Sequence, residues 1–273
     1  MTTLCRVMQV STSTYYNFLA SSMPMRYYEN NKLRTSIEII HRRSRNTYGK
    51  RRVQAELRSE GKRHGLIRIS RLMKESGLKA KAAKKYKATI NSCHDLITYE
   101  NKLDRKFSPT KPSTHFTSDI TYIRTLNGWL FLAVVIDLYS RKVVGWSMAN
   151  HMRAELVCNA LQMAKIKGVK LSGSLHHSDR GVQYCSNAFQ SLLSKNNMTP
   201  SMSRKGNCWD NAPTESFFHS LKVESVENKI YKNHEEAKQE NFDYIEVFYN
   251  MQRLHSFLGY TTPQNYENMA LAK

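Results

Sequence analysis

Three acidic residues, Asp119, Asp179 and Glu215, have the local contexts expected of metal-binding carboxylates. They occur in HFTSDITYIRT, LHHSDRGVQY and GNCWDNAPTESFFHSLK, and 35 residues separate the second acid from the third. Mg²⁺ and Mn²⁺ prefer oxygen ligands, and a two-metal site for phosphoryl transfer requires carboxylates from well-separated segments. Converging carboxylates repel one another unless cations neutralise them, so the three positions together predict a divalent-metal site.

Five other titratable residues near these acids have structural interpretations. Asp137 ends an apolar strand and is interpreted as a turn or cap residue, and Asp210 lies in a polar loop where an Asx turn is natural. Glu224 falls outside the helical turn of the third acid and is expected to face solvent. His176 and His177 end a predicted strand, so we interpret them as core or phosphate-facing residues rather than metal ligands.

The formal net charge of +20 is concentrated in the N-terminal part of the chain. Residues 1–112 contain 25 Lys and Arg against 8 Asp and Glu, whereas residues 113–273 contain 17 against 14. This contrast predicts a polyanion-binding module joined to a domain with a different function. Nucleic acid is favoured over an anionic membrane, because the basic segments lack an aromatic–aliphatic face.

Composition also excludes several other classes of protein. No apolar run approaches the roughly 20 residues of a membrane span, and MTTLCRVMQVSTSTYY lacks the apolar core of a signal peptide. We therefore expect a cytoplasmic protein that has no membrane partner. The five cysteines include no C-x-x-C pair, which predicts reduced thiols rather than disulfides or a structural zinc site.

Helical periodicity and basic side chains before residue 80 predict two DNA-binding segments. Residues 1–25 contain two short helical pieces, which suit a partial helix-turn-helix, with a capped surface helix as the alternative. Residues 26–80 contain YGKRRVQAELRSEG and ISRLMKESGLKAK around a short glycine-containing turn, which is typical of a helix-turn-helix. Residues 81–112 are interpreted as a basic linker. The predicted DNA contacts in these segments are Arg51, Arg52, Arg68, Arg71, Lys84 and Lys85.

Residues 113–273 change to an alternation of β-rich and helical segments. The predicted strands are Thr117–Arg124, Trp129–Asp137, Lys142–Met148, Ser174–Ser178 and Ser201–Met202. The predicted helices are Ala154–Lys165, Ser186–Asn196 and a late helix that begins at Pro213. This order predicts an α/β, ribonuclease-H-like core with a mixed five-stranded sheet, flanking helices and a C-terminal helical extension. The three acids then lie on the first strand, just after the fourth strand, and on the late helix.

Five sequence motifs, three of which overlap the segments around the acids, carry a resemblance to a known family. They are TSDITYI (117–123), GWLFLAVVIDLYSRKVVGW (128–146), HSDRGVQY (177–184), GNCWDNAPTESFFHSLKVE (206–224) and YNMQRLHSFLGYTTP (249–263). At these motifs the chain resembles transposases of the insertion-sequence-three family, specifically the downstream-frame product with a retroviral-integrase-type catalytic core. The resemblance extends upstream to the helix-turn-helix segments and so covers nearly the whole chain.

The resemblance implies DNA cleavage that generates a 3′-hydroxyl, followed by strand transfer. It implies two Mg²⁺ or Mn²⁺ ions per active site, with Asp119 bridging both ions and Asp179 and Glu215 each holding one. Lys222, seven residues after the third acid, is expected to touch phosphate beside the active site. Arg253 matches the C-terminal motif of the family and is expected to contact DNA or to brace the core.

The resemblance also implies partners. The first is double-stranded DNA, both the terminal repeats of the element and the target. The others are further copies of the chain, in a homo-oligomer that is at least a dimer, and an upstream-frame partner or frameshift fusion. Two alternatives remain open at the level of sequence. A nuclease or retroviral-type integrase shares such a core, although no His-x-x-x-His and Cys-x-x-Cys zinc module precedes it here. A DNA-binding regulator with an inactive integrase-like core is the other, although the intact acids argue against it.

Overall fold

The computed structural model describes residues 2–20, 24–81, 96–227 and 229–272, and it divides into two compact units, Met1–Ala80 and Lys81–Lys273. The first unit is helical. Its helices are α1 (Thr2–Val7), α2 (Thr12–Ala20), α3 (Met25–Arg43), α4 (Lys50–Ser59) and α5 (Leu66–Glu75). Lys84 and Lys85, two of the predicted DNA contacts, lie outside the described residues.

The first unit is held together by the apolar faces of α3, α4 and α5. Ile37, Val53, Leu57 and Ile69 are each at most 1% exposed, because the helical spacing of the apolar residues places them all on the inward side. A short turn joins α4 to α5, which is the helix-turn-helix arrangement that the sequence predicts. Ser11 caps α2, since its hydroxyl accepts a hydrogen bond of 3.0 Å from the Thr14 backbone N–H.

The second unit is built on a mixed five-stranded sheet, as predicted. Its strands are β1 (His115–Thr125), β2 (Gly128–Asp137), β3 (Val143–Ala149), β4 (Leu175–Ser178) and β5 (Thr199–Met202). Their order across the sheet is β3-β2-β1-β4-β5. The first three strands are antiparallel, whereas β4 runs parallel to β1 and β5 runs parallel to β4. This topology places the predicted catalytic strand β1 at the centre of the sheet.

Helices cover both faces of this sheet. The remaining α-helices of the described segments are α6 (Ala154–Ile166), α7 (Val182–Cys185), α8 (Asn187–Lys195), α9 (Ala212–Leu221), α10 (His234–Phe242) and α11 (Pro263–Leu271), and π-helical turns follow α9 (Lys222–Val226) and α10 (Asp243–Tyr249). One core lies against α6 and α8 and the other against α9 and α10, because successive side chains of a strand point to opposite faces. Gly145 in β3 allows α6 to pack closely, since a Cβ there would lie 2.2 Å from the Ala160 carbonyl oxygen. None of the helices in the described ranges is long and apolar enough to span a bilayer.

Part of the segment that we expected to be a linker packs against the core. Leu103 is 1% exposed, and the Ser201 hydroxyl accepts hydrogen bonds of 2.9 and 3.2 Å from the backbone N–H groups of Lys102 and Leu103. Arg105 reaches the Asp210 carboxylate at 2.8 Å. This stretch therefore belongs to the second unit, and these contacts between residues about 100 positions apart leave no local pattern in the sequence.

Candidate active site

Asp119 and Asp179 lie at the same level of two neighbouring strands. In the parallel pair of β1 and β4, Thr117 is opposite His177. Asp119 and Asp179 each follow two residues later, so the register carries them to adjacent positions where β4 ends. The carboxyl ends of adjacent parallel strands are where open α/β sheets place their binding crevices.

The pKa of the Asp119 carboxyl is raised well above its ordinary value by burial and by neighbouring carboxylates. Burial is the largest cause, and the charges of Asp179 and then Glu215 raise the pKa further. The Ile120 backbone N–H, which donates to the carboxylate at 2.7 Å, and the charge of Lys222 both act in the opposite direction. The fold therefore brings the three predicted acids within electrostatic range of one another.

Asp179 is fixed by the turn that follows β4. The Gly181 backbone N–H donates a hydrogen bond of 2.9 Å to its Oδ1 atom. A Cβ at position 181 would lie 3.0 Å from that same oxygen and 3.1 Å from the Gln183 Oε1 atom. A side chain at position 181 would therefore require the carboxylate or the neighbouring amide to shift by a few tenths of an ångström.

Glu215 lies on the solvent-facing side of α9, and partial burial raises its pKa. The first turn of this helix is attached to β1 by buried polar contacts. The hydroxyls of Thr214 and Thr117 are 2.9 Å apart, and the Thr117 hydroxyl also donates to the Asn211 side chain. Because Thr117 is only two residues from Asp119, these contacts fix the third acid relative to the first.

The donor set fits a hard divalent cation. All three side chains offer carboxylate oxygens, which Mg²⁺ and Mn²⁺ prefer, and a bound cation would relieve the repulsion that raises the pKa of Asp119. Across the described part of the chain, no group of three His, Cys, Asp or Glu side chains is positioned to hold a metal ion as it stands, so metal binding at these acids is a proposal.

Tyr184 is a residue of this site that sequence reasoning did not identify. Its side chain is 1% exposed, and within the described residues its hydroxyl has no hydrogen-bond partner. Burial and then the charges of Asp119 and Asp179 raise its pKa well above the ordinary value, so the phenol lies close to both acids. The only available signal was its place at the end of HSDRGVQY, where an aromatic residue more often indicates packing.

His176 and His177 are core residues, which confirms one of the two interpretations given above. His176 pairs with the Ser118 hydroxyl at 2.8 Å, and His177 pairs with the hydroxyls of Ser201 and Ser203 at 2.9 and 3.2 Å. Burial lowers the pKa of His176 to about 3 and that of His177 to about 4. Both rings are therefore neutral at pH 7, and neither faces a phosphate at the surface.

Lys222 lies within electrostatic range of Asp119, and its contact with phosphate stays a prediction. Its positive charge lowers the pKa of Asp119, and its Nζ atom lies 5.0 Å from the centre of the Tyr122 ring. The residue begins the π-helical turn Lys222–Val226 that continues α9. A cation at this position is suited to a phosphate held beside the acids.

Arg253 has one of its two expected roles, whereas the expectation that Glu224 faces solvent is wrong. Arg253 is 4% exposed and donates to the Glu224 carboxylate at 2.7, 2.8 and 3.0 Å, so it braces the core and does not present itself to DNA. Glu224 is 8% exposed rather than facing solvent, and it also accepts a hydrogen bond of 2.8 Å from the Tyr244 hydroxyl. The π-helical turn after α9 directs Glu224 inward, and no helical period would predict that direction.

Asp137 and Asp210 both have structural roles. Asp137 accepts hydrogen bonds from the backbone and hydroxyl of Ser140 at 3.0 and 2.7 Å, which confirms its interpretation as a turn residue. The expected Asx turn at Asp210 is wrong. Its fully buried carboxylate instead accepts from the guanidinium groups of Arg204 at 2.9 Å and Arg105 at 2.8 Å, and these hydrogen bonds hold its pKa well below the ordinary value.

The predicted DNA contacts of the first unit differ in their surroundings. Arg51 is exposed on α4, and Arg52 beside it is half-buried. Arg68 contacts Glu29 of α3 at 3.1 Å, and Arg71 lies 3.8 Å from an acid one turn further along α5. In this structure Arg68 and Arg71 are thus engaged with side chains of their own unit, and their DNA contacts stay a prediction.

Comparisons with known proteins agree with both units. Residues 109–208 and 215–271 match models of the integrase core domain, and residues 29–86 match a model of an HTH-like domain. The chain is 41% identical over 271 residues to an uncharacterized 31 kDa protein of insertion element IS600 from Shigella sonnei, covering 98% of this chain and 100% of that protein. It is 40% identical to transposase InsF for insertion sequence IS3A from Escherichia coli K12, covering 98% of this chain and 94% of that one.

Among solved structures, the integrase assembly of a simian T-cell lymphotropic virus, bound to a regulatory subunit of protein phosphatase 2A, matches at a TM-score of 0.49 and 14% identity. That match covers 78% of this chain and 70% of the other. The sheet order and the matched models define an integrase-type core in the second unit and a helix-turn-helix unit before it in the chain. Because its relatives are about 40% identical over nearly their full length, the chain belongs to the IS3 family of transposases.

Proposed function

We propose that the chain binds the terminal repeats of its own DNA element and catalyses their cleavage and joining to target DNA. The observation that carries this proposal is that Asp119, in the middle of β1, lies within electrostatic range of Asp179, just after β4, and of Glu215 on α9, on an integrase-type sheet. A polynucleotidyl transferase needs an acidic, cation-binding centre of this kind, because the phosphodiester brings further negative charge to the site.

The three acids, Asp119, Asp179 and Glu215, would hold the two divalent cations, Mg²⁺ or Mn²⁺, that the reaction needs. When bound, such ions activate the attacking oxygen and stabilise the leaving 3′-oxygen. The chain's own contribution is to fix the carboxylates, through the Gly181 turn at Asp179 and through the contacts between Thr214 and β1. Lys222, whose charge lowers the pKa of Asp119, would bind a phosphate oxygen and so orient the strand.

The first unit would supply affinity for duplex DNA. Its strong positive charge suits phosphate contacts, and in a helix-turn-helix the second helix, here α5, enters the major groove. The predicted contacts are Arg51, Arg52, Arg68, Arg71, Lys84 and Lys85, together with Lys222 beside the active site.

Joining two element ends in one event requires two active sites, so we propose that the chain acts as at least a dimer on DNA, in the bacterial cytosol where its substrate lies. A partner or fusion encoded in the upstream frame stays a prediction of the family resemblance.

The competing candidate is a DNA-binding regulator with an inactive core. The experiment that separates the two incubates the purified chain with labelled duplexes that carry the element ends. Mg²⁺ and a chelator are compared, and cleaved and joined products are resolved on a denaturing gel. We expect both products with Mg²⁺ and neither with the chelator. Sequence-specific binding without products under any divalent cation would favour the regulator.

A further inference from the structure

An exposed indole lies directly before the helix that carries Glu215. Trp209 is 69% exposed, on the 3₁₀ turn Cys208–Asn211 that leads into α9. By contrast, the half-buried Trp146 donates its indole N–H to Glu246 at 2.7 Å. The exposed faces of the Trp209 ring are therefore available to a flat ligand.

The position of Trp209 is fixed by the residue that follows it. Asp210 is 0% exposed and is held by Arg204 and Arg105 at 2.8 to 2.9 Å, and the Asn101 amide also donates to it at 2.9 Å. A carboxylate fully buried among such partners anchors the backbone of the turn. The backbone segment that carries the indole is therefore held in position.

The same turn is attached to the strand that carries Asp119. The Asn211 amide donates to the Ser118 carbonyl at 3.3 Å, and its oxygen accepts from the Thr117 hydroxyl. Trp209 is two residues from Asn211, and Ser118 directly precedes Asp119. The turn that carries the exposed ring is thus attached to the strand that carries Asp119.

Cationic side chains precede this turn in the sequence or contact it in the fold. Arg204 and Lys205 are exposed just before the turn, and Arg105, which also contacts Asp210, is about half exposed. An exposed aromatic ring among cations is the combination that binds single-stranded nucleic acid, because the ring stacks on a base and the cations follow the backbone.

We propose that Trp209 is a stacking platform for an unpaired base next to the phosphodiester bound at Asp119, Asp179 and Glu215. The ligand is unpaired because a base inside a duplex already has stacking neighbours on both faces and offers none to the protein. This inference rests on the proposed function, since it assumes that a DNA strand occupies the acidic site.

The test measures DNA binding by the full chain in a chelator, so that no DNA is consumed. The wild type is compared with Trp209→Ala and Trp209→Phe on an element-end duplex that carries a short unpaired overhang, and on the same duplex fully paired. Trp209→Ala is expected to weaken binding of the overhang DNA by about 5- to 150-fold, which is the usual contribution of one stacked base. Trp209→Phe is expected to retain most of the affinity, and binding of the paired duplex is expected to be unchanged.

A fluorescent base analogue, 2-aminopurine, in the overhang reports stacking directly. Its emission is expected to be quenched by the wild type and not by Trp209→Ala. The matched control is Phe242→Ala, which removes another aromatic side chain, 50% exposed, from the end of α10. It is expected to leave the binding of both DNAs unchanged.

The stacking proposal is overturned if Trp209→Ala binds overhang DNA as the wild type does, or if it weakens paired and overhang DNA equally. It is also overturned if Phe242→Ala produces the same loss, or if Trp209→Ala changes only the oligomeric mass of the protein. Wild-type cleavage and joining, measured separately with Mg²⁺, distinguishes a failure of the proposed function from a failure of the stacking proposal. An inactive wild type refutes the proposed function, whereas an active wild type with unaltered binding by Trp209→Ala refutes only the stacking platform.

Discussion

Arg253 donates three hydrogen bonds to Glu224 in the protein interior, and these join the C-terminal segment to the turn that follows the helix of the third acid. Removing one partner leaves a buried charge uncompensated, so Arg253→Met or Glu224→Gln is expected to lower the free energy of unfolding by about 3–5 kcal/mol. The double variant is expected to cost less than the sum of the single changes. Denaturant unfolding provides the measurement.

The control for that pair is the exposed ion pair of Lys238 and Glu235, at 2.8 Å, where the same kind of change is expected to cost less than about 1 kcal/mol. A loss below about 1 kcal/mol for Arg253→Met would show that the buried pair does not brace the fold.

The Asp119 carboxylate is expected to lower the free energy of unfolding when no metal is bound. Its pKa in the folded protein lies above the ordinary value of 3.8, so the folded state holds the proton more tightly than the unfolded state does. Stability is therefore lost as pH rises above about 4. Asp119→Asn is expected to stabilise the metal-free protein at pH 7 by about 0.5–2 kcal/mol, with a smaller gain at pH 4.

Thermal unfolding with and without Mg²⁺ checks this prediction. Mg²⁺ is expected to raise the melting temperature of the wild type and to have little effect on Asp119→Asn. The matched variant is Asp210→Asn, where the carboxylate is paired with arginines and its pKa is lowered, so the same substitution is expected to destabilise. A stability loss at both positions would contradict the repulsion described at the acidic site.

Among the residues that the structure describes, the Tyr184 hydroxyl has no hydrogen-bond partner, which predicts an unusual response to the loss of this oxygen atom. A buried hydroxyl that lacks a hydrogen bond carries a desolvation cost, so Tyr184→Phe is expected to leave the stability unchanged or to raise it by about 1 kcal/mol. Tyr244→Phe is the contrast, since the Tyr244 hydroxyl donates to Glu224 at 2.8 Å and its removal is expected to destabilise. Equal losses in denaturant unfolding for the two variants would show that Tyr184 is hydrogen-bonded in solution.

Much of the sheet could be predicted, because local pattern determines it. The predicted strand Trp129–Asp137 is observed as Gly128–Asp137, since a nearly continuous apolar run suits a strand covered on both faces. The fifth strand was predicted too short, as Ser201–Met202 instead of Thr199–Met202. Pro200 breaks the strand pattern, but β5 lies at the edge of the sheet, where proline is tolerated.

The polar connections around the site could not be predicted. Arg253 and Glu224 are 29 residues apart, and Arg105 and Asp210 are 105 apart. Tertiary packing brings such residues together, so neither hydrophobic periodicity nor secondary-structure propensity can predict these pairs. The three acids were found because each has its own motif, whereas Tyr184 was missed because its role depends on two neighbours brought to it by the fold.

The positive charge of the first unit predicts a salt-sensitive affinity for DNA. Each lost phosphate contact lowers the slope of log K against log salt by about 0.9, so Arg51→Ala is expected to reduce it by roughly that amount. Lys238→Ala on α10 of the second unit removes an exposed charge outside the helix-turn-helix and is expected to leave the slope unaltered. A salt-independent affinity of the wild type would refute phosphate binding by this unit.

Cleavage and joining of element-end DNA by isosteric variants of the acids tests the central claim most directly. With Mg²⁺, Asp119→Asn, Asp179→Asn and Glu215→Gln are each expected to lose both activities while still binding the DNA. The control Glu155→Gln, at an exposed position in the first turn of α6, is expected to keep both. Cleavage and joining at the wild-type rate by any one of the three variants would contradict the assignment of these acids as the catalytic site.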